Sequence, residues 1–337
     1  MKLDTGLLSG SLHDVPAEAK RAEEMGFDAL WTAETSHDPF LPLVLAAEHT
    51  TRIKLGTSIA VAFPRSPMVL AQIGWDLQEQ SRGRFILGLG TQVKGHNQRR
   101  FGVKWEQPGP KLREMIQMIH AIWDCWQNGT RPSFQGKFYN FTLMTPFFNP
   151  GPLQYPRPPI YIAGVNEYMC RLAGELCDGF HVHPFHSLKY LDEVVMPNIR
   201  KGLENAGRKR SHISITTTAF VVTGNDAEEM RASKEFVRQQ ISFYASTPAY
   251  IGVLEAHGWG GAGRRLTDMS RRGEWAAMGK EITDEMIEVY ATTGTYDEIA
   301  EKVKKRYEGY LGRVSFYFPF TNGDKEHWRK LISAFNG

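Results

Sequence analysis

Residues 54–92 read KLGTSIAVAFPRSPMVLAQIGWDLQEQSRGRFILGLGTQ, and the alternation in this segment is the strongest indication of the fold. Two apolar runs, at residues 54–60 and 84–89, flank a longer segment with room for a helix. The second run is apolar on successive positions, as expected for a parallel strand that is covered on both faces. The stretch therefore predicts a strand–helix–strand unit whose two strands are parallel.

The same alternation continues in both directions along the chain. Further apolar runs predict strands at residues 3–8, 29–33, 160–163, 179–183, 212–222 and 313–318. Segments of helical period separate them, most clearly from Leu112 to Trp126, where apolar residues recur at three- and four-residue steps. Eight strands with a helical pattern after the last one predict an α/β protein with a (β/α)8 fold, the TIM barrel.

One barrel accounts for residues 1–337 as a single domain, since barrels of this kind commonly use this much chain. Two stretches are longer than the strand–helix units of a minimal barrel require. They are an aromatic and Pro/Gly-rich insertion at about residues 129–159, after the fourth helix, and a Gly-rich insertion at about residues 248–294, after the seventh strand. Long insertions in compact domains are usually lids or binding loops, so we expect them to shape a site.

Composition excludes several classes of function. The net charge is only +3 and no basic run is interleaved with aromatic residues, so nucleic acid is not an expected partner. The amino terminus holds no long apolar stretch, which argues against a signal peptide or a membrane anchor. The three cysteines stand at spacings that fit reduced thiols rather than disulfides or zinc, and these features predict a cytoplasmic protein.

Two apparent motifs are weak. Gly88, Gly90 and Gly95 do not have the spacing of a dinucleotide-binding fingerprint. His181, His183 and His186 are close in sequence, but no further ligands stand at a matching spacing, so no metal site is predicted. We prefer the interpretation that these histidines line a ligand pocket or form their hydrogen bonds within the core.

Because barrel enzymes place their chemistry at the carboxyl ends of the strands, the residues that follow each predicted strand are the candidate site. Glu34 and His37 follow the second strand, and either could handle protons. Ala163, Gly164, Val165 and Asn166 follow the fifth strand and open a helix, where free N–H groups favour a phosphate. For residues 163–166, the alternative interpretation is a tight strand-to-helix turn that binds no ligand.

Four motifs in order resemble the luciferase-like monooxygenase superfamily, most closely its branch that depends on coenzyme F420. They are FDALWTAE (27–34), LGTSIAVAFPRSP (55–67), GRFILGLGTQ (83–92), and the pair AG (163–164) with DG (178–179). The resemblance covers roughly residues 1–220. The chain departs from many relatives after the second strand, where Glu34 is followed by Thr35 rather than His. The proton donor is therefore left open between Glu34 and His37.

The resemblance implies where a coenzyme would lie. A non-proline cis peptide at Ser58–Ile59, with Ala60 following, would support the coenzyme ring, and a phosphate would rest on Gly164, Val165 and Asn166 beside Ala163. The residues expected to line the same pocket are Gly90, Gln92 and His183. The resemblance also implies a homodimer that acts on a small organic molecule.

Three functions follow from these observations. The first is an F420-dependent oxidoreductase that moves a hydride between the deazaflavin and a small substrate. The second is a monooxygenase that uses reduced FMN supplied by a separate reductase. The third is a flavin-binding barrel without catalytic activity, because a fold alone does not fix a function.

Overall fold

A computed structural model of the chain describes residues 1–7, 10–317 and 325–336. Eight parallel strands form the barrel. They are β1 (Lys2–Gly6), β2 (Ala29–Thr32), β3 (Lys54–Thr57), β4 (Phe85–Gly90), β5 (Ile160–Gly164), β6 (Gly179–Val182), β7 (Ser214–Val222) and β8 (Arg313–Phe316). Leu8 and Phe318, at the ends of the first and last predicted strands, lie outside the described residues.

The register closes the barrel. In β8, Val314 pairs with Leu3 of β1 on one side and with Thr217 of β7 on the other. The neighbouring β6 pairs with β7 in parallel, His181 lying opposite Thr216. The predicted (β/α)8 barrel is confirmed, because the strand order returns to its start with parallel pairs throughout.

Helices surround this sheet. The α-helices span Val15–Met25, Leu41–His49, Pro67–Gln80, Lys94–Arg99, Pro108–Asn128, Glu167–Leu176, Leu188–Tyr190, Met196–Asn205, Ala227–Ala245, Ile251–Glu255, Gly260–Arg271, Asp284–Tyr290, Ile299–Arg306 and Lys325–Asn336. The stripe predicted on Pro108–Asn128 is buried, and Trp123 donates a hydrogen bond to the carbonyl of Ala71 at 3.0 Å. In the described ranges, none of the helices combines the length and the apolar character that a membrane crossing requires.

The two predicted insertions contain structure of their own. Residues 129–159 hold a short antiparallel hairpin (Phe134–Gln135 with Asn140–Phe141), whose turn donates three backbone N–H groups to the carboxylate of Glu114. This hairpin therefore packs on the outside of the helix Pro108–Asn128. Residues 248–294 hold helical pieces and the strand Ala291–Thr293, which extends the sheet beside the end of β7.

A buried ion pair lies inside the barrel. Arg313 of β8 donates to both carboxylate oxygens of Asp4 in β1, at 2.8 and 2.7 Å, and the indole N–H of Trp31 donates to the same carboxylate at 2.9 Å. The ring of Trp31 stands edge-on to His181 of β6, with ring centroids 5.0 Å apart. These buried residues fill the interior of the barrel near the start of β8.

Candidate active site

The third strand breaks where the sequence predicted that it would continue. We predicted one strand over residues 54–60, but β3 ends at Thr57 and the chain re-enters the sheet at Ala60–Val61, which pairs with Leu89 and Gly90. The peptide bond between Ser58 and Ile59 is cis. Residues 58 and 59 therefore form a bulge at the barrel mouth, at the position where the resemblance placed one.

Backbone hydrogen bonds hold this bulge on both sides. The N–H of Ser58 donates to the carbonyl of Thr32 at 2.7 Å, and the N–H of Glu34 donates to the carbonyl of Ile59 at 3.2 Å. A Cβ on Gly90 would lie only 2.6 Å from Cδ1 of Ile59. The glycine at residue 90 is therefore what allows the Ile59 side chain to lie against the end of β4.

Glu34, a predicted catalytic residue, supports the bulge from the side. Its Oε2 accepts hydrogen bonds from Nη1 of Arg65 and from the backbone N–H of Val61, both at 2.7 Å, and its side chain is only 6% exposed. Arg65 also donates to the carboxylate of Asp38 at 2.9 Å. This arrangement joins the loop after β2 to the segment after β3, and it engages the carboxylate in structural contacts.

His37 and Gln92 lie elsewhere on the rim. His37 is exposed on the loop after β2. Gln92 follows β4 with a φ of +55°, and its Oε1 accepts the N–H of Val93 at 2.9 Å. Arg100, from the same β4 loop, donates to the carbonyl of Thr35, which ties this loop to the β2 loop. The structure therefore places His37 and Gln92 on neighbouring loops at the barrel mouth.

The turn after β5 connects the strand directly to a helix start. Asn166 is the N-cap of the helix Glu167–Leu176, and its side chain accepts the N–H of Met169 at 3.1 Å. A Cβ on Gly164 would lie 2.4 Å from Cβ of Met169, so only glycine fits where the strand meets the helix. Tyr190 donates to the carbonyl of Val165 at 3.1 Å, which fixes the turn from outside. The first N–H groups of such a helix have no partner within the helix.

The bulge and this turn are close together. Leu89 of β4 pairs with Ile162 of β5, so Gly90 lies at the level of Ala163. Since Gly90 contacts Ile59, the bulge, the end of β4 and the start of the helix Glu167–Leu176 form one continuous stretch of the rim. The predicted ring support and the predicted phosphate turn are thus adjacent.

The three histidines that are close in sequence, His181, His183 and His186, lie in different environments. Nδ1 of His181 is 3.5 Å from Oγ of Ser58, while its Nε2 has no hydrogen-bond partner within the described residues. His186 is buried, its Nε2 hydrogen-bonded to the hydroxyl of Tyr307 at 3.1 Å. Within the described ranges, no group of three or more His, Cys, Asp or Glu is arranged to hold a metal ion.

The aromatic residues around His183 were not predicted from the sequence. Its ring packs against Tyr244, with centroids 4.6 Å apart, and against Tyr250, at 4.4 Å. The hydroxyl of Tyr244 is 2.5 Å from that of Tyr317, which directly follows β8. These four residues form what we call the tyrosine cluster. The sequence predicts His183 as a pocket residue, and Tyr317 lies at the end of a predicted strand, but no local pattern indicates Tyr244 or Tyr250.

Burial sets the protonation states here. It lowers the pKa of both His181 and His183 to about 3, with smaller contributions from Arg313 and His186, respectively. Burial also raises the pKa of Tyr244 and Tyr317 above the ordinary value of a phenol. Around neutral pH, all four groups are therefore uncharged.

The model of the luciferase-like monooxygenase family matches residues 2–313 of the chain. The chain belongs to this family. An uncharacterized protein of Mycobacterium tuberculosis is 48% identical over 314 residues, covering 93% of this chain and 92% of that protein. The 5,10-methylenetetrahydromethanopterin reductase of Archaeoglobus fulgidus is 29% identical over 85% of this chain and 83% of that enzyme.

Solved structures of luciferase-like enzymes share the fold. The coenzyme F420-dependent tetrahydromethanopterin reductase from Methanopyrus kandleri superposes with a TM-score of 0.77 at 20% identity, over 98% of this chain and 96% of that one. The oxygenating constituent of 3,6-diketocamphane monooxygenase from Pseudomonas putida, in complex with FMN, gives 0.66 at 19% identity, over 99% and 97%. This luciferase-like protein is an oxidoreductase, like the characterised reductases and dehydrogenase among its relatives.

Proposed function

We propose that this luciferase-like protein is an F420-dependent oxidoreductase that transfers a hydride between the deazaflavin and a small organic substrate. The observation that carries the proposal is the adjacency of the Ser58–Ile59 bulge to the helix start at Asn166, with Gly90 between them. A flat ring bearing a phosphate-containing tail requires these two features side by side. The relationship to the methanopterin reductases favours the deazaflavin over FMN.

The residues present fit such a coenzyme. Ser58, Ile59 and Ala60, with Gly90, would support the ring, and Gln92 and His183 would line its edge. The amides of Gly164, Val165 and Asn166, beside Ala163, would hold the phosphate, because a helix start offers unpaired N–H donors and a positive potential. When bound, the deazaflavin supplies hydride chemistry, while the protein supplies orientation and a proton.

The two candidate proton-handling residues, Glu34 and His37, differ in their surroundings. His37 is exposed to solvent on the loop after β2. The Glu34 carboxylate is bound by Arg65 and Val61, so its proposed role is to position the bulge. We therefore keep His37 as the proton-handling residue of the β2 loop and assign Glu34 to positioning.

A monooxygenase reaction with reduced FMN is the second candidate. The observation that favours it is the apolar, uncharged tyrosine cluster, which suits a pocket that must exclude water. Such an enzyme would require a separate reductase to supply reduced FMN, and its reaction would consume oxygen.

Turnover distinguishes the two candidates. The protein is incubated with oxidised F420 and a panel of simple alcohols, and, separately, with FMN, a flavin reductase, NADH and the corresponding ketones. Our proposal predicts that the absorbance of oxidised F420 falls without oxygen uptake. Oxygen uptake that depends on both FMN and the ketone, with F420 unchanged, would contradict it.

We also propose that the protein is a cytoplasmic homodimer. Cys125, Cys170 and Cys177 are buried free thiols, which suits a reducing compartment. Leu41, Val44 and Val69 are 56%, 45% and 43% exposed on two neighbouring helices, a surface suited to a second copy. Sedimentation analysis is expected to show a dimer, and Val44→Glu to weaken it. A monomer at micromolar concentration would contradict this assignment.

A further inference from the structure

The tyrosine cluster joins four positions that are distant in sequence. His183 follows β6, Tyr317 follows β8, Tyr244 ends the helix Ala227–Ala245 after β7, and Tyr250 lies in the turn that follows. The ring of Tyr317 also packs on Phe220 of β7, with centroids 4.8 Å apart. The cluster therefore covers the side of the barrel mouth formed by β6, β7 and β8.

This cluster adjoins the proposed coenzyme site. His183 is two residues after His181, whose Nδ1 is 3.5 Å from Oγ of Ser58. Gly164 lies opposite Val182 in the sheet, so the turn after β5 is beside His183. A molecule held by the tyrosine cluster would therefore lie next to the bulge rather than in a remote pocket.

The cluster offers hydrogen-bond donors without a formal charge. The N–H of Phe185 donates to Nδ1 of His183 at 3.1 Å, so in the neutral ring Nε2 carries the proton. One hydroxyl hydrogen is shared between Tyr244 and Tyr317, and the other remains available to an additional acceptor.

Among the residues that the structure describes, no carboxylate, Lys or Arg contributes to the pKa shifts of these four groups, and His183 is affected only by burial and by the neighbouring His186. The pKa of Tyr244 is raised first by burial and then by Tyr317 and Tyr250, and that of Tyr250 by burial alone. A carboxylate or an ammonium group would lose its hydration here without meeting an opposite charge, which is unfavourable. A carbonyl or hydroxyl oxygen on an apolar body matches the donors and the aromatic walls.

We propose that the tyrosine cluster is the substrate subsite and that it binds the oxygen of an uncharged apolar ketone or alcohol through the Tyr244–Tyr317 hydroxyl pair. This inference rests on the proposed function, since it supplies the substrate class for the same site. It assigns Tyr244 and Tyr317 to substrate recognition, while the bulge and the β5 turn serve the coenzyme.

The test measures ligand binding without turnover. Saturation-transfer NMR gives the dissociation constants of cyclohexanone and of cyclohexanecarboxylate, an anion with the same ring. Both probes are measured with the wild-type protein, with Tyr317→Phe and with Tyr244→Phe, each in the absence and presence of F420 or FMN. Tyr310→Phe is the matched control, because that phenol donates to Asp192 outside the cluster. Coenzyme affinity is measured on all four proteins.

We expect cyclohexanone to bind the wild type and Tyr310→Phe equally and to bind each cluster variant about fivefold more weakly, the effect of one lost hydrogen bond. The carboxylate should bind at least tenfold more weakly than the ketone. Equal ketone affinity in all four proteins, no ketone binding under any condition, or carboxylate binding as tight as ketone binding would each overturn the proposal. Normal ketone selectivity without affinity for either coenzyme would support the subsite and overturn the proposed function instead.

Discussion

The Oε2 atom of Glu34 lies 2.7 Å from Nη1 of Arg65, and this ion pair joins the loop after β2 to the segment that follows the Ser58–Ile59 bulge. The same oxygen accepts the N–H of Val61 at 2.7 Å. A carboxylate placed between a guanidinium and a backbone amide stabilises the geometry of the bulge. These contacts are the basis for proposing that Glu34 positions the bulge.

Substituting Glu34 by Gln should therefore destabilise the protein. The amide leaves the charge of Arg65 less compensated, and a hydrogen bond to a charged group contributes about 1.5–3 kcal/mol. Urea unfolding should show this loss of free energy of unfolding, whereas the exposed Glu48→Gln should change it by less than about 0.5 kcal/mol. If the urea concentration at the midpoint of unfolding is the same for Glu34→Gln and the wild type, the supporting role assigned to this residue is wrong.

Gly90→Ala should weaken coenzyme binding by displacing Ile59. The added Cβ would lie 2.6 Å from Cδ1 of Ile59, so the isoleucine side chain must move at the surface that supports the ring. We expect about a tenfold loss of coenzyme affinity, equivalent to about 1.4 kcal/mol, with a similar or smaller loss of stability. Gly261→Ala, on an open helical surface, is the control and should bind as the wild type does. Unchanged affinity in Gly90→Ala would remove Ile59 from the ring support.

Asn166→Asp tests the phosphate turn without disturbing its fold. Aspartate caps a helix as well as asparagine does, so the hydrogen bond from Met169 should be preserved. The new negative charge should repel a phosphate and reduce coenzyme affinity about tenfold at low salt, and less at high salt. Titrations at two ionic strengths measure this effect.

The matched control for that variant is Asn149→Asp. The Asn149 side chain also accepts a backbone N–H, from Gly151, in the segment that packs near the carboxyl end of the helix Pro108–Asn128. The Asn149→Asp variant should bind the coenzyme with the affinity of the wild type. Equal affinities for the two variants would argue against a phosphate at the turn after β5.

Stability should fall as the pH is lowered from about 7 to about 5. Burial is the main cause that lowers the pKa of His120 and His186 to about 4, and of His181 and His183 to about 3. The unfolded chain takes up these protons near 6.5, whereas the folded protein does not, so acidification favours unfolding. Each histidine contributes up to about 1.4 kcal/mol per pH unit in this window.

Urea unfolding at several pH values measures this slope. His120→Gln, outside the barrel mouth, should reduce the slope, because it removes one of the four buried histidines. A free energy of unfolding that is constant between the two pH values would show that the buried histidines are protonated in the folded state as readily as in the unfolded chain.

The sequence was sufficient for the barrel because strand positions depend on local apolar runs, and all eight predicted strands correspond to strands of the barrel. It was insufficient at residues 58 and 59, where the chain leaves the sheet although the predicted strand continues. The turn at Gly164 and Asn166 was predictable from local helix-start chemistry. The tyrosine cluster was not, because residues 183, 244, 250 and 317 meet only after the barrel closes.

Equilibrium titration of the wild-type protein with oxidised F420, with FMN in parallel, measures whether the proposed coenzyme site exists and which coenzyme it prefers. We predict saturable binding of F420 that is tighter than that of FMN and is weakened about tenfold by Asn166→Asp, the factor that about 1.4 kcal/mol represents. Tight binding of FMN with none of F420 would contradict the coenzyme assignment. Binding of neither would contradict the claim that the Ser58–Ile59 bulge and the turn after β5 form a coenzyme site.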